Sequence, residues 1–93
     1  MATPIRIEHL PEQGRFQTIV DGARCEADYV LQGKVMAITH TGVPPQLEGR
    51  GIAAALVQAA LDHAQAQGLK VSPLCSYARA YMQRHPQTLH LLA

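Results

Sequence analysis

Two very short connections constrain this chain most. Asp21-Gly22 separates two alternating apolar–polar runs, and Gln32-Gly33 separates the second of these from a third. A two-residue loop can join strands only as antiparallel neighbours, because a parallel connection needs about a dozen residues or more. Arg15 to Val20 places Phe16, Thr18 and Val20 on one side. In the next run Cys25, Ala27, Tyr29 and Leu31 alternate with Arg24, Glu26 and Asp28. Lys34 to Thr41 follows, with Val35, Met36, Ala37 and Ile38 as an almost unbroken apolar stretch, which suits a strand buried on both faces. An earlier strand at Ile5-Arg6-Ile7-Glu8, broken by Pro11 to Gly14, completes a predicted antiparallel meander of four.

The period changes at Gly42-Val43-Pro44-Pro45, where two prolines force an extended exit. From Gly51 to Gln67 apolar residues recur at helical spacing (Ile52, Leu56, Ala60, Ala64), flanked by Ala53, Val57 and Leu61, and Gly68 is placed to cap the end. The alanines allow this helix to lie close to a sheet. Lys70 to Leu74 is a short strand. Separated from the fourth strand by a helix, it should lie parallel to it through a right-handed crossover. Ser76 to Arg84 predicts a second helix with Ser76 as its N-cap, ended by Pro86, and Thr88 to Leu92 adds a last turn. The fold class is α+β: a mixed sheet made of a four-strand meander and a fifth parallel strand, a central helix and a short C-terminal helix.

Composition narrows the function classes. The 93 residues, 47% hydrophobic, suit one domain spanning 1–93. Charged residues are 16%, below the usual value of about 25%, so part of the surface is expected to meet a partner or a second copy. A net charge of +1 argues against a polybasic nucleic-acid binder. No apolar run approaches the roughly 18 residues that cross a bilayer. The start, Met1 to Arg6, has no apolar leader segment, and two cysteines make neither a disulfide scaffold nor a four-ligand zinc site. A cytoplasmic protein with reduced thiols, monomeric or weakly dimeric, is the expectation. His63, His85 and His90 have no ligand partner at helical spacing, so no metal site is expected. Residues 49–93 hold Arg50, Lys70, Arg79 and Arg84 against Asp62 alone, whereas residues 1–48 are net acidic. An anionic ligand should therefore meet the second half.

The segment Leu47-Glu48-Gly49-Arg50-Gly51-Ile52-Ala53 joins the buried fourth strand to the Ala-rich helix. First-turn N–H groups have no intrahelical acceptor, and the helix dipole makes that end positive. Glycines let the backbone approach a bulky anion, and Arg50 could add a charge-assisted contact. A phosphate or diphosphate fits such a turn, and so does a plain strand-to-helix connection. The G-K-[ST] ending of a P-loop is missing. Gly49-x-Gly51-x-x-Ala54 matches a dinucleotide fingerprint in letters. The acidic residue that fingerprint needs about 20 positions later is absent, however, and the antiparallel opening excludes its fold.

Read together, Val43-Pro44-Pro45-x-Leu47-x-Gly49-Arg50-Gly51-Ile52-Ala53 resembles the acetyl-CoA motif of the GNAT superfamily of N-acetyltransferases, [Q/R]-x-x-G-x-[G/A]. The likeness to its minimal, stand-alone members runs on through His40-Thr41-x-Val43, Pro73-x-Cys75-Ser76-Tyr77 and Arg84-His85-Pro86. Glu48 stands where the motif has Gln or Arg, and a carboxylate cannot donate to a phosphate. The resemblance implies that the diphosphate of acetyl-CoA sits on the amides of Gly49, Arg50, Gly51, Ile52 and Ala53. Its pantetheine arm would pair with backbone at Thr41, Gly42 and Val43, where the fourth and fifth strands splay. Pro73, unable to donate a ladder hydrogen bond, independently suggests weakened pairing there. The acetyl group would end near Cys75, as nucleophile or base; Tyr81 would protonate the departing thiolate; His40 would be a general base. Each of these three has a competing reading as a packing residue. The implied activity is acetyl transfer from acetyl-CoA to an amine, of a small molecule or a protein. The alternative is a CoA-binding or interaction module without turnover.

Overall fold

Asp21 and Gly22 both take positive φ, 52° and 77°, as a type I′ hairpin turn requires. The turn sets the register of β2 (Arg15–Val20) against β3 (Ala23–Gln32), with Val20 opposite Ala23 and Phe16 opposite Ala27. The computed structural model describes residues 5–93, so the leader reading of Met1 to Pro4 falls outside it. β1 (Glu8–Leu10) pairs with β2, and β4 (Val35–Gly42) with β3, all antiparallel. After α1 (Ile52–Ala66), β5 (Lys70–Pro73) lies parallel to β4, giving the order β1-β2-β3-β4-β5. α2 (Ser76–Arg84) follows, and a 3₁₀ turn over Pro86–Leu91 leads Leu92 to bridge Val71 on the outer side of β5. The α+β architecture read from the sequence is the one observed.

Local departures have simple causes. The first strand starts later than Ile5: Ile5 and Ile7 pack on the core, but ladder pairing covers only Glu8 to Leu10. The second tight turn is Gly33-Lys34, one residue further on, because Gln32 still pairs with Val35. Leu31 keeps the alternation of Cys25, Ala27 and Tyr29 yet is 53% exposed, since cover over that face ends before the hairpin tip. Cys75, not Ser76, is the N-cap of α2, with extended backbone.

α1 buries Ile52, Leu56, Val57, Ala60, Leu61 and Ala64 against the sheet residues Phe16, Cys25, Ala27, Tyr29, Met36 and Ile38. Ala78 and Met82 of α2 join the same core, and the Tyr81 hydroxyl donates to Gln58 Oε1 on α1. The other face of β3 carries Arg24, Glu26 and Asp28, the last held by Arg15 across the strand at 2.7 Å. Among the described residues no helix is long and apolar enough to cross a membrane, and no group of three or more metal-ligating side chains gathers.

One polar cluster ties β1 to α1. The His9 ring stacks on Phe16 at 4.1 Å, meets His63 edge-on at 4.4 Å and places Nε2 2.6 Å from the Tyr29 hydroxyl. Burial, then repulsion from His63, lower the His9 pKa from its ordinary 6.5, and Glu12 opposes them weakly. A depressed folded-state pKa means the unfolded chain binds more protons, so this stability is full above 6.5 and is lost as pH falls through the folded value. The melting temperature should therefore drop between about pH 7 and about pH 5, and His9→Phe should flatten that drop. Equal slopes for wild type and variant would refute the assignment.

Candidate functional site

The β3–β4 ladder slips by one residue: Tyr29 faces Ile38, whereas Asp28 faces His40. Thr39 is the extra residue of this bulge, and it inverts the strand beyond it. Thr41 comes to the core-facing side opposite Ala27, and His40 turns to the opposite face with Asp28. At the same height β5 ends. Ile38–Pro73 is the last β4–β5 pair, and the amides of Leu74 and Cys75 both donate to the Ile38 carbonyl, at 3.0 and 2.9 Å. β4 then runs on through Gly42 bonded only to β3, so its other edge is open.

That edge is one wall of a cleft of about 500 Å³. Thr41, Gly42 and Val43 form the wall, Leu47 and Ile52 give apolar floor, and Glu48, Gly49, Gly51 and Ala53 make the rim at the head of α1. Tyr77 closes the α2 side. Gly51 caps α1 at φ 78°, a conformation that side chains disfavour, and a Cβ on Gly49 or Gly51 would meet nothing but open space. The first amide of α1 with an acceptor is that of Ala55, bonded to the Gly51 carbonyl. From Gly49 to Ala54 no amide has a hydrogen-bond partner among the described residues. Four of these residues, Gly49, Gly51, Ile52 and Ala53, line the cleft, so unpartnered amides and the positive end of a fifteen-residue helix border it.

Of the residues expected to hold a cofactor, Thr41, Gly42, Val43, Gly49, Gly51, Ile52 and Ala53 line this cleft. Arg50 does not: its guanidinium reaches back 3.0 Å to Asp21 on the β2–β3 turn. Glu48 does line it, so the rim carries a carboxylate beside the amides.

The three candidate catalytic residues are not gathered in one place. Cys75 does not line the cleft itself but contacts a residue that does, its Sγ 3.5 Å from Thr41 Oγ1. Burial works against its thiolate. The Thr41 hydroxyl, then the nearby amides of Ala78, Tyr77 and Thr41, favour the thiolate and outweigh burial, so the pKa lies below the usual thiol value. The thiol lies at the head of α2 without making a side-chain capping hydrogen bond, and its one hydrogen-bond partner is Thr41. Tyr81 lies a helical turn beyond Tyr77, stacked on His85 at 4.0 Å with its hydroxyl on Gln58, and burial raises its pKa. Tyr77, which shares its helix face, is the tyrosine at the cleft. His40 is on the opposite side of β4, 57% exposed, with Nε2 3.4 Å from Glu26 Oε2. Sequence reasoning missed the bulge that separates it from Cys75; an extra residue in one strand leaves no mark when both neighbours, Thr39 and Thr41, are threonines.

A family model described as GCN5-related N-acetyl-transferase matches residues 15–91. The chain belongs to that family. It is 35% identical over 91 residues to Protein NATD1 of Mus musculus, covering 95% of this chain and 83% of that protein. It is equally similar to Protein NATD1 of Homo sapiens, covering 80% of that protein. In three dimensions it matches a solution NMR structure of a GCN5-like protein from Staphylococcus aureus. The TM-score is 0.77 at 25% identity, over 95% of this chain and 87% of that one.

The Cys75 environment predicts its reactivity. Iodoacetamide should alkylate Cys75 with a pH midpoint below that of an ordinary thiol, whereas the fully buried Cys25, whose pKa burial raises, stays unmodified in the folded protein. Thr41→Val should move the Cys75 midpoint upward. A midpoint insensitive to that change would show that the Thr41 hydroxyl does not hold the sulfur.

Proposed function

We propose that the cleft binds acetyl-CoA and that the protein transfers the acetyl group to a primary amine. The carrying observation is the set of unpartnered amides of Gly49, Gly51, Ile52 and Ala53, lining a cleft whose far wall is the free edge of β4. The donor set fits the ligand. A diphosphate accepts hydrogen bonds only, and the bare Cα atoms of Gly49 and Gly51 leave it room. The amide-rich pantetheine arm matches the edge of Thr41 to Val43, which offers backbone groups as a missing strand would meet them. Tyr77 supplies an aromatic wall for that arm.

In this reading the thioester lies beside the Thr41–Cys75 pair. A thiolate beside the head of α2 can accept an acyl group or a proton, and the first-turn amides of that helix are the kind of donors that steady an oxyanion nearby. Tyr81, hydrogen-bonded to Gln58, supports the α1–α2 packing in this reading and does not meet the reacting sulfur. Membership of the N-acetyltransferase family supports the same chemistry.

Calorimetric titration with CoA tests the cradle through Ala53→Glu. A glutamate in the first turn of α1 favours the helix by about 0.3–1 kcal/mol, so the fold is kept. Its carboxylate would occupy the diphosphate position and should weaken binding at least tenfold, or about 1.4 kcal/mol. Glu48→Gln, which removes the carboxylate from the rim, should tighten it. CoA affinity untouched by Ala53→Glu would place the ligand elsewhere.

A further inference from the structure

For a site that meets a diphosphate, the cleft is poor in positive charge. Among its lining side chains the one charged group is the carboxylate of Glu48, exposed on the rim. The cations of the second half of the chain were expected to draw an anion, yet none of them lines it. Arg50 is held by Asp21 at 3.0 Å, Lys70 donates to the His90 carbonyl at 2.8 Å, and Arg79 donates to the Leu74 carbonyl at 3.4 Å. Arg84 ends α2, about 10 Å along the helix from Tyr77 at the cleft. The first half supplies none either. Arg15 and Arg24 are paired with Asp28 and Glu26 on the far face of the sheet. Lys34 precedes Val35, at the end of β4 away from the cleft, and Arg6 lies beside β1, three strands over.

Backbone amides at a helix head act differently from a cation. Their pull is that of about half a unit charge, and it fades within the first turn. They can hold one diphosphate in contact, but they offer little to a second phosphate further off. CoA carries such a group, a monoester on the ribose 3′ oxygen with about −1.5 to −2 charge at neutral pH. Dephospho-CoA differs only in lacking it. A phosphate held near this rim meets the Glu48 carboxylate and no unengaged cation, so water solvates it better than the protein does. Arg50, between two glycines that line the cleft, is the cation nearest at hand in sequence, and Asp21 turns it away.

We infer that Glu48 and the Asp21–Arg50 pair set the carrier specificity of the cleft: it takes a thioester carrier by the diphosphate alone and accepts dephospho-CoA as readily as CoA. This rests on the acetyl-CoA reading above and narrows it. Glu48 is then a specificity-determining residue. It withholds from the larger carrier any gain that its extra phosphate would bring at a rim lined with lysine or arginine.

The test is calorimetric titration of the full chain with CoA and with dephospho-CoA, read as the ratio of the two Kd values. Wild type should bind dephospho-CoA as tightly as CoA or more tightly, within about threefold, because no cation rewards the extra charge. Glu48→Lys should shift the ratio toward CoA by roughly fivefold or more, and Glu48→Gln, the closer isostere, by part of that. Asp21→Asn keeps the hairpin, since Asn-Gly suits a type I′ turn, and frees Arg50; the ratio should move the same way. A rim merely loosened by substitution would weaken both carriers alike and leave the ratio where it was. Wild type that binds CoA more than about threefold tighter than dephospho-CoA overturns the inference, while the acetyl-CoA reading stands. A ratio that keeps its wild-type value in Glu48→Lys or in Asp21→Asn overturns it too. Wild type that binds neither carrier sinks both.

Discussion

The structure turns on the point where β4 loses one neighbour. Pro73 has no N–H to donate, and the next two amides, of Leu74 and Cys75, converge on a single carbonyl, that of Ile38. Two donors on one acceptor cannot continue a ladder, whose spacing demands one bond per alternate residue. β5 therefore ends and turns into α2, while β4 continues with its outer edge unpaired. The cleft and the seat of Cys75 are consequences of that single divergence.

The heads of the two helices then meet different fates. Both present amides without intrahelical acceptors. At α2 the cap is Cys75, whose thiol is hydrogen-bonded to Thr41 and has a pKa below the usual thiol value because hydrogen bonding favours its thiolate. At α1 the cap is Gly51, which has no side chain to offer, and the first turn opens onto the cleft. One helix head carries a thiol and the other is bare glycine backbone, and Thr41 links them, lining the cleft and bonding the Cys75 sulfur.

Much of this was legible from the residues. Asp21-Gly22, the alternation in β3 and the helical recurrence from Ile52 to Ala64 specify the meander and crossover because turn chemistry and burial periodicity are local. The glycine pair heading α1 pointed to its open amides for the same reason. What was not legible depends on register and on side-chain direction. The Thr39 bulge shifts every later residue of β4 by one face, which moved His40 away from Cys75 and brought Thr41 to it. Arg50 was expected at the cradle because it is flanked by glycines, yet the Asp21 carboxylate on a distant turn holds it. Tyr77 and Tyr81 share a helix face, and only the position of Gln58 on α1 decides which of them packs and which is free to line the cleft.

The bulge also bears on how chemistry can be divided across a single strand. Residues 40 and 41 are adjacent, yet one faces solvent with Glu26 and the other faces the core with Cys75. In a regular sheet, groups on opposite faces are screened from each other by backbone and neighbouring strands. Here the β5 neighbour is absent from Thr39 onward, so the two faces communicate around the open edge of β4. The one-residue slip nonetheless holds His40 and Cys75, two residues expected to act together, on opposite faces of the same sheet, so the register of a single strand decides which side chains can share a site.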